Sequence, residues 1–200
     1  MRWDNLFDDL EGQLEHELSA EEVDLRAEEE RLRLGRLSVR DRIQSIHEAH
    51  DRNADYSIRV VLASGGNVNV RPATFGRDWF SADLLEGVGR SSQCIVPIVA
   101  IAGLILSRAQ IGVSLDVTPG ETSGRSLAAR LSLPFVLRDL CRRRSAVELR
   151  TAAGAIAGTI DRVGRDHLDL AVHERDEPRR EALVVHHRVV PFTQIELVKV

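Results

Sequence analysis

The sequence predicts an α+β chain, mostly β, in which two tandem units, each a helix followed by a small five-stranded barrel, stand behind an acidic helical arm. Three observations predict it. The tetrapeptide Arg36-Leu37-Ser38-Val39 returns as Arg130-Leu131-Ser132-Leu133, β-branched alternating segments follow each copy, and the glycines and prolines between those segments return in the same order. Recurring punctuation at both ends of a segment marks a duplicated supersecondary unit. Short alternating runs bounded by turn residues mark strands buried on one face.

Composition sets the scale. The 200 residues are 43% hydrophobic and only 4% aromatic, enough for two small cores filled by Val, Leu, Ile and Ala. A charged fraction of 29% places the chain among globular proteins. Lys199 is the one lysine among 27 basic residues, a bias that a GC-rich genome produces. Cys94 and Cys141 have no CxxC spacing, so buried free thiols are expected rather than a disulfide framework or a zinc site. Met1–Leu10 carries four charges and no apolar h-region, and the apolar run Cys94–Leu106, at 13 residues, is too short to span a bilayer. A soluble cytoplasmic protein without membrane contact is the expectation.

The arm, residues 1–35, begins with Trp3, Phe7, Leu10, Leu14 and Leu18 at spacings of three and four, the apolar stripe of an amphipathic helix. The stripe can pack on the barrels, on a second copy or on a partner protein. Ser19 and Glu22 form a capping box that starts a second helix running towards Leu34, with Gly35 at its end. Residues 1–30 hold 12 acids and 2 bases, a net charge of −10, against 19 acids and 25 bases in the remainder, a net charge of +6. Such an arm either solvates itself or folds back over a basic surface as an internal competitor for nucleic acid.

Unit 1, residues 36–106, opens with a helix capped by Ser38 and Asp41 that places Val39, Ile43 and Ile46 on one face. Strands follow at Ile58–Ala63 and Val68–Val70. Unit 2, residues 130–200, opens with Ser132 as cap and Pro134 in the first turn, where a missing donor costs nothing. Its helix runs through Leu137 and Leu140 to Arg144, and strands follow at Val147–Thr151 and Ile156–Ile160. Gly66 matches Gly154 and Gly76-Arg77-Asp78 matches Gly164-Arg165-Asp166 at an offset of 88, whereas Val96-Pro97 and Ile101 match Val190-Pro191 and Ile195 at an offset of 94. Two six-residue insertions, around Asp51–Tyr56 in unit 1 and Glu174–Arg180 in unit 2, account for the shift. Pro97 and Pro191 suit the turn between the fourth and fifth strands. Residues 107–129, with Thr118-Pro119-Gly120, read as an exposed linker.

On these residues the chain resembles the Sm-like fold, a helix and five strands in a bent barrel. Gly154-x3-Gly158-x-Ile160, Val163-Gly164-Arg165-Asp166 and Leu168-x-Leu170 look like the first Sm signature, and Val189–Val198 takes the place of the second. Gly66–Phe80 with Ile95–Leu104 fits more loosely. The whole chain also resembles a set of uncharacterised proteins of high-GC actinobacteria. The Sm-like resemblance implies a non-enzymatic binding module, RNA contact through a polar residue after the second-to-third strand turn and a basic one near the fourth-to-fifth, and self-association through barrel edges. Asp169 or Ser81 stands near the first place and Pro97 and Pro191 in the second.

Apart from the resemblance, Arg138, Arg142, Arg143, Arg144, Arg150 and Arg165 form the candidate nucleic-acid surface, since clustered cations on a helix, a strand and a turn can contact phosphates. Arg142–Arg144 also suit a helix C-terminus. The competing reading is a scaffold or adaptor that docks a protein partner through Trp3, Phe7, Leu10, Leu14 and Leu18. No catalytic constellation and no cofactor loop is read. His167, His173, His186 and His187 crowd unit 2, but adjacent strand residues face opposite ways, so no metal site is expected.

Overall fold

A computed structural model describes residues 22–50, 56–87, 91–116, 127–174 and 180–200. The stripe Trp3, Phe7, Leu10, Leu14 and Leu18, the cap Ser19, most of each six-residue insertion and the Thr118-Pro119-Gly120 turn lie outside those residues. The chain divides into two compact units, Met1–Ser38 and Val39–Val200. In the first, helix α1 covers residues 22–35 and includes Gly35, with the turn at Arg36. Its exposed face is laced by pairs three or four residues apart, Arg26 to Glu22, Arg31 to Glu28 and Arg33 to Glu30. The Arg33 guanidinium holds the Glu30 carboxyl below its ordinary range.

The second unit is α+β with strands predominating. Helix α2 (Val39–His50) precedes β1 (Ile58–Leu62), β2 (Asn67–Phe75), β3 (Trp79–Leu85), β4 (Ser91–Pro97) and β5 (Ile101–Ile105). Helices α3 (Arg108–Leu115) and α4 (Leu133–Arg143) then lead to β6 (Ala146–Thr151), β7 (Gly154–Val163), β8 (His167–Val172), β9 (His186–Pro191) and β10 (Ile195–Lys199). All ten strands join one antiparallel sheet in the order β5-β1-β2-β3-β4-β10-β6-β7-β8-β9. Each half thus lays its fifth strand beside its first. Short 3-10 turns, Ile98–Ala100 and Phe192–Gln194, follow Pro97 and Pro191.

Alternation explains the strands. Ile58, Val60 and Leu62 on β1 and Val147, Leu149 and Thr151 on β6 are buried while the residues between them are not. The ladders shift register where one strand carries an extra residue: at Ala73 on β2 and Asp161 on β7, and at Ala102 on β5 and Glu196 on β10. Bulges of this kind bend a strand and sharpen its twist. The bulges let β2 and β7 run longer than the alternating stretches visible in sequence.

Two buried clusters result. One joins α2 to β1–β4 around Ile43, Ile46, Ile58, Val60 and Phe80, and the other joins α4 to β6–β9 around Leu137, Leu149, Ile160, Leu168 and Leu170. They exchange members, because Leu197 of β10 packs in the first and Trp79 and Ile95 of β3 and β4 pack in the second.

Two local expectations need correction. Ser132 occupies the N-cap position of α4 but its side chain makes no capping bond; the Asp78 carboxylate accepts from the Leu133 N–H instead, at 2.8 Å. The segment after β5 is helical rather than linker over Arg108–Leu115, because Ser107 and Gln110 form a capping box that the exposed-linker reading passed over. Gln110 also ties α3 to the Ser57 carbonyl, and Ser45 of α2 donates to the Val113 carbonyl.

Glycines test the packing. A Cβ on Gly158 would strike the carbonyl oxygen of Ala171 on the neighbouring β8, whereas one on Gly112, inside α3, would meet nothing within 4 Å. Gly158→Ala is therefore expected to cost about 1–3 kcal/mol of stability, and Gly112→Ala to add about 0.5–1 kcal/mol. Urea unfolding followed by circular dichroism measures both, and equal effects would contradict the strand contact.

Candidate functional site

The feature that organises the second unit is the junction between its halves, where β10 pairs with β4, Val198 opposite Ile95 and Lys199 opposite Cys94. On its other side β10 pairs with β6. Its backbone is thus paired on both edges, and, unlike the alternating β6, it has four successive buried residues, Ile195 to Val198. Bulged Glu196 presents its carboxylate to the turn after β1, where it accepts from the Ser64 amide at 2.5 Å and the Ser64 hydroxyl at 2.8 Å. Lys199 donates to Glu86 at 2.5 Å.

The turn between β2 and β3 completes the junction. Asp78 caps α4, the Arg77 amide donates to the Leu131 carbonyl at 2.9 Å, and the Trp79 indole N–H donates to the same carbonyl at 3.0 Å. Trp79 lies over Gly76, which has no Cβ to obstruct it. Clefts flank this seam. One, about 470 Å³, is lined by Trp79, Asp83, Gln93, Ile95, Asp139 and Arg143, and another, about 440 Å³ and mostly apolar, by Pro97, Ile98, Val99, Leu133, Pro134 and Phe192. A groove of about 530 Å³ runs along the outer strand β5 beside Val39, Leu104 and Ile111.

The predicted arginine surface is only partly assembled. Arg142 and Arg143 both pair with Asp139 on the same helix, Arg143 at 2.6 Å, and the Arg142 guanidinium foremost holds the Asp139 carboxyl below its ordinary range. Arg138 donates to the Gly164 carbonyl at 3.3 Å, which brings it to the turn that carries exposed Arg165. Arg144 ends α4 in the left-handed region at φ 52°. Arg150 sits on β6 between the buried positions Leu149 and Thr151, on the opposite face of the strand.

The histidines of the second half do not converge. His173 is buried, its Nε2 at 2.9 Å from the Thr159 hydroxyl and its Nδ1 at 2.7 Å from the Glu174 carbonyl. His167 bonds Asp166 at 2.8 Å, which lowers the Asp166 carboxyl from its ordinary range, and His187 lies 3.6 Å from Asp161. His186, next on β9, stands opposite Val172. Among the described residues no group of three or more His, Cys, Asp or Glu is placed to hold a metal ion. Among them, too, no helix is long and apolar enough to cross a membrane.

Sequence reasoning singled out Gly76-Arg77-Asp78 as punctuation but not as the cap for a helix more than fifty residues later. Glu196 gave no signal at all, since a single acid in an apolar strand reads as solvent-facing. Comparison with protein-family models, curated proteins and solved structures returns no match.

Both cysteines are free, Cys94 buried and Cys141 only half-buried. Burial, with Asp83 and Glu86 adding repulsion, pushes the Cys94 thiol up to about 12. The thiolate is the reactive form. At about pH 8 a disulfide-exchange reagent is therefore expected to modify Cys141 alone in the folded protein, and Cys94 only after unfolding. Two thiols reacting at one rate in the folded wild type, or a folded Cys141→Ser variant whose remaining thiol reacts, would contradict this.

Proposed function

We propose that the chain is a non-enzymatic binding module of tandem Sm-like barrel architecture, acting in the cytoplasm as a protein-interaction scaffold. The fold part of this reading is supported by the sheet order, in which β5-β1-β2-β3-β4 and β10-β6-β7-β8-β9 follow one plan, with bulges at corresponding places. Two free thiols suit a reducing compartment.

The observation that carries the interaction reading is the chemistry of the exposed surface. Val189 on β9, Ile105 on β5, Val39 and Val99 are large apolar side chains left to solvent, whereas Arg138, Arg142 and Arg143 are engaged by Gly164 and Asp139. Arg142 and Arg143 share one carboxylate on their own helix, so part of their charge is already compensated and they release fewer counterions on meeting a phosphate. Unpaired sheet edges, by contrast, accept another strand directly. The arm, with Trp3, Phe7, Leu10, Leu14 and Leu18, adds a second docking element to the same scaffold.

The test is a titration of the full chain against single-stranded RNA and duplex DNA at salt between about 50 and 200 mM. Expected is no binding up to about 10 µM protein, the weak range of non-specific association. Micromolar binding that falls steeply with salt, and that is lost when Arg142, Arg143 and Arg144 are replaced by alanine, would overturn the scaffold reading in favour of phosphate recognition.

A further inference from the structure

The repeated triplets Gly76-Arg77-Asp78 and Gly164-Arg165-Asp166 make the same backbone tie in both halves of the second unit. The Asp78 carbonyl accepts from the Ile98 amide at 2.9 Å, and the Asp166 carbonyl accepts from the Phe192 amide at 2.8 Å. Each bond fastens the turn that carries the triplet to the first residue of the 3-10 turn after Pro97 or Pro191. The two 3-10 turns lie side by side. The apolar cleft of about 440 Å³ opens where they meet, between Ile98 and Val99 of one half and Phe192 of the other, with Leu133 and Pro134 of α4 as its remaining wall.

The cleft and the turns around it differ in chemistry. Leu133 at its floor is 5% exposed, but Val99 is 75% exposed and Phe135, next to Pro134, is 54% exposed, so apolar surface continues from the cleft out to solvent. The turns are basic. Arg77 and Arg165, the middle residues of the two triplets, are exposed, and so is Arg130, beside Leu131, whose carbonyl takes the Arg77 amide. None of these three guanidiniums has a hydrogen bond or an ion pair among the described residues. The acids of the same turns are already occupied, Asp78 by the Leu133 amide and Asp166 by His167.

Resting on the scaffold reading, we propose that this cleft docks an acidic segment of a partner protein, one large apolar side chain entering between Val99 and Phe192 while carboxylates flanking it meet Arg77, Arg130 and Arg165. A cleft of this size holds a Phe or Leu side chain and shields it from water. Guanidinium forks take carboxylates in paired hydrogen bonds.

Charge selects the partner. The same apolar anchor flanked by bases would bring like charges against three uncompensated cations, which costs affinity and excludes basic segments. A nucleic-acid strand could meet those cations but not the cleft, whose one aromatic ring is Phe192 and whose other walls are aliphatic or proline, where a base needs rings to stack on.

Fluorescence anisotropy of a labelled synthetic peptide of Glu and Ala with one central Phe, titrated with the full chain, tests this. Expected is saturable binding with a Kd below about 100 µM, weakened about tenfold or more when the Phe of the peptide is replaced by Ser or its Glu residues by Gln. Val99→Asp and Arg77→Glu change exposed side chains, so each should keep the thermal midpoint of the wild type while weakening the Phe peptide about tenfold or more. Ile105→Asp, on the separate groove along β5, should leave its binding unchanged. A peptide that stays free, a Phe-less peptide bound as tightly, undiminished binding by either cleft variant, or an equal loss with Ile105→Asp would each overturn the proposal. Such a failure with no RNA or DNA binding leaves the scaffold reading standing, whereas salt-sensitive nucleic-acid binding removes that reading and this proposal with it.

Discussion

The second unit depends on β10. It supplies the last ladder of one half to β6 and the joining ladder of the whole sheet to β4, so its backbone is satisfied on both sides while its side chains are removed from water on both faces. A regular strand would send alternate residues to opposite faces in strict order. The bulge at Glu196 breaks that order, and it does so where three destinations meet: Ile195 and Val198 fill the second cluster, Leu197 the first, and Glu196 reaches Ser64. Burying a carboxylate is tolerable only with donors in place, and Ser64 provides two. The polar contact thereby fixes the register in which the apolar ones are made.

Much of this fold was legible as pattern. The strand positions Ile58, Val60, Leu62, Val147 and Leu149 announce themselves by alternation, and Pro97 and Pro191 mark the same turn in each half. What was not legible is whatever one half does for the other. Asp78 lies in a turn that sequence marks only as a turn, and nothing local to Trp79 points beyond its own half, yet Trp79 is committed to Leu131 and Asp78 to Leu133. Long-range partners leave no local period, so a pattern-based reading assigns each half its own core and stops there. Helix α3 was hidden for a different reason: Gly112 and a polar flank weaken its propensity, and packing on α2 supplies the rest.

The candidate site was legible in its parts but not in its balance. The basic cluster on α4 was plain in sequence, whereas its partial neutralisation by Asp139, set three and four residues before Arg142 and Arg143, emerges only when the side chains are oriented on one helical face. Exposure of Val189 and Val39 was equally out of reach, because a valine on an alternating strand or at a helix start is expected to be covered.

The exchange of residues between the two clusters also governs the order in which the chain can reach its final state. Ile95 and Val198 are about a hundred residues apart in sequence yet form one rung, so the loop-closure entropy of that rung is met only late in folding. Until β10 arrives, the first half exposes a bare β4 edge and lacks Leu197, and the second half lacks Trp79 and Ile95. Neither half is a finished globule alone, and the two are expected to melt as one cooperative body. The duplicated unit has given up the independence that tandem repeats ordinarily keep.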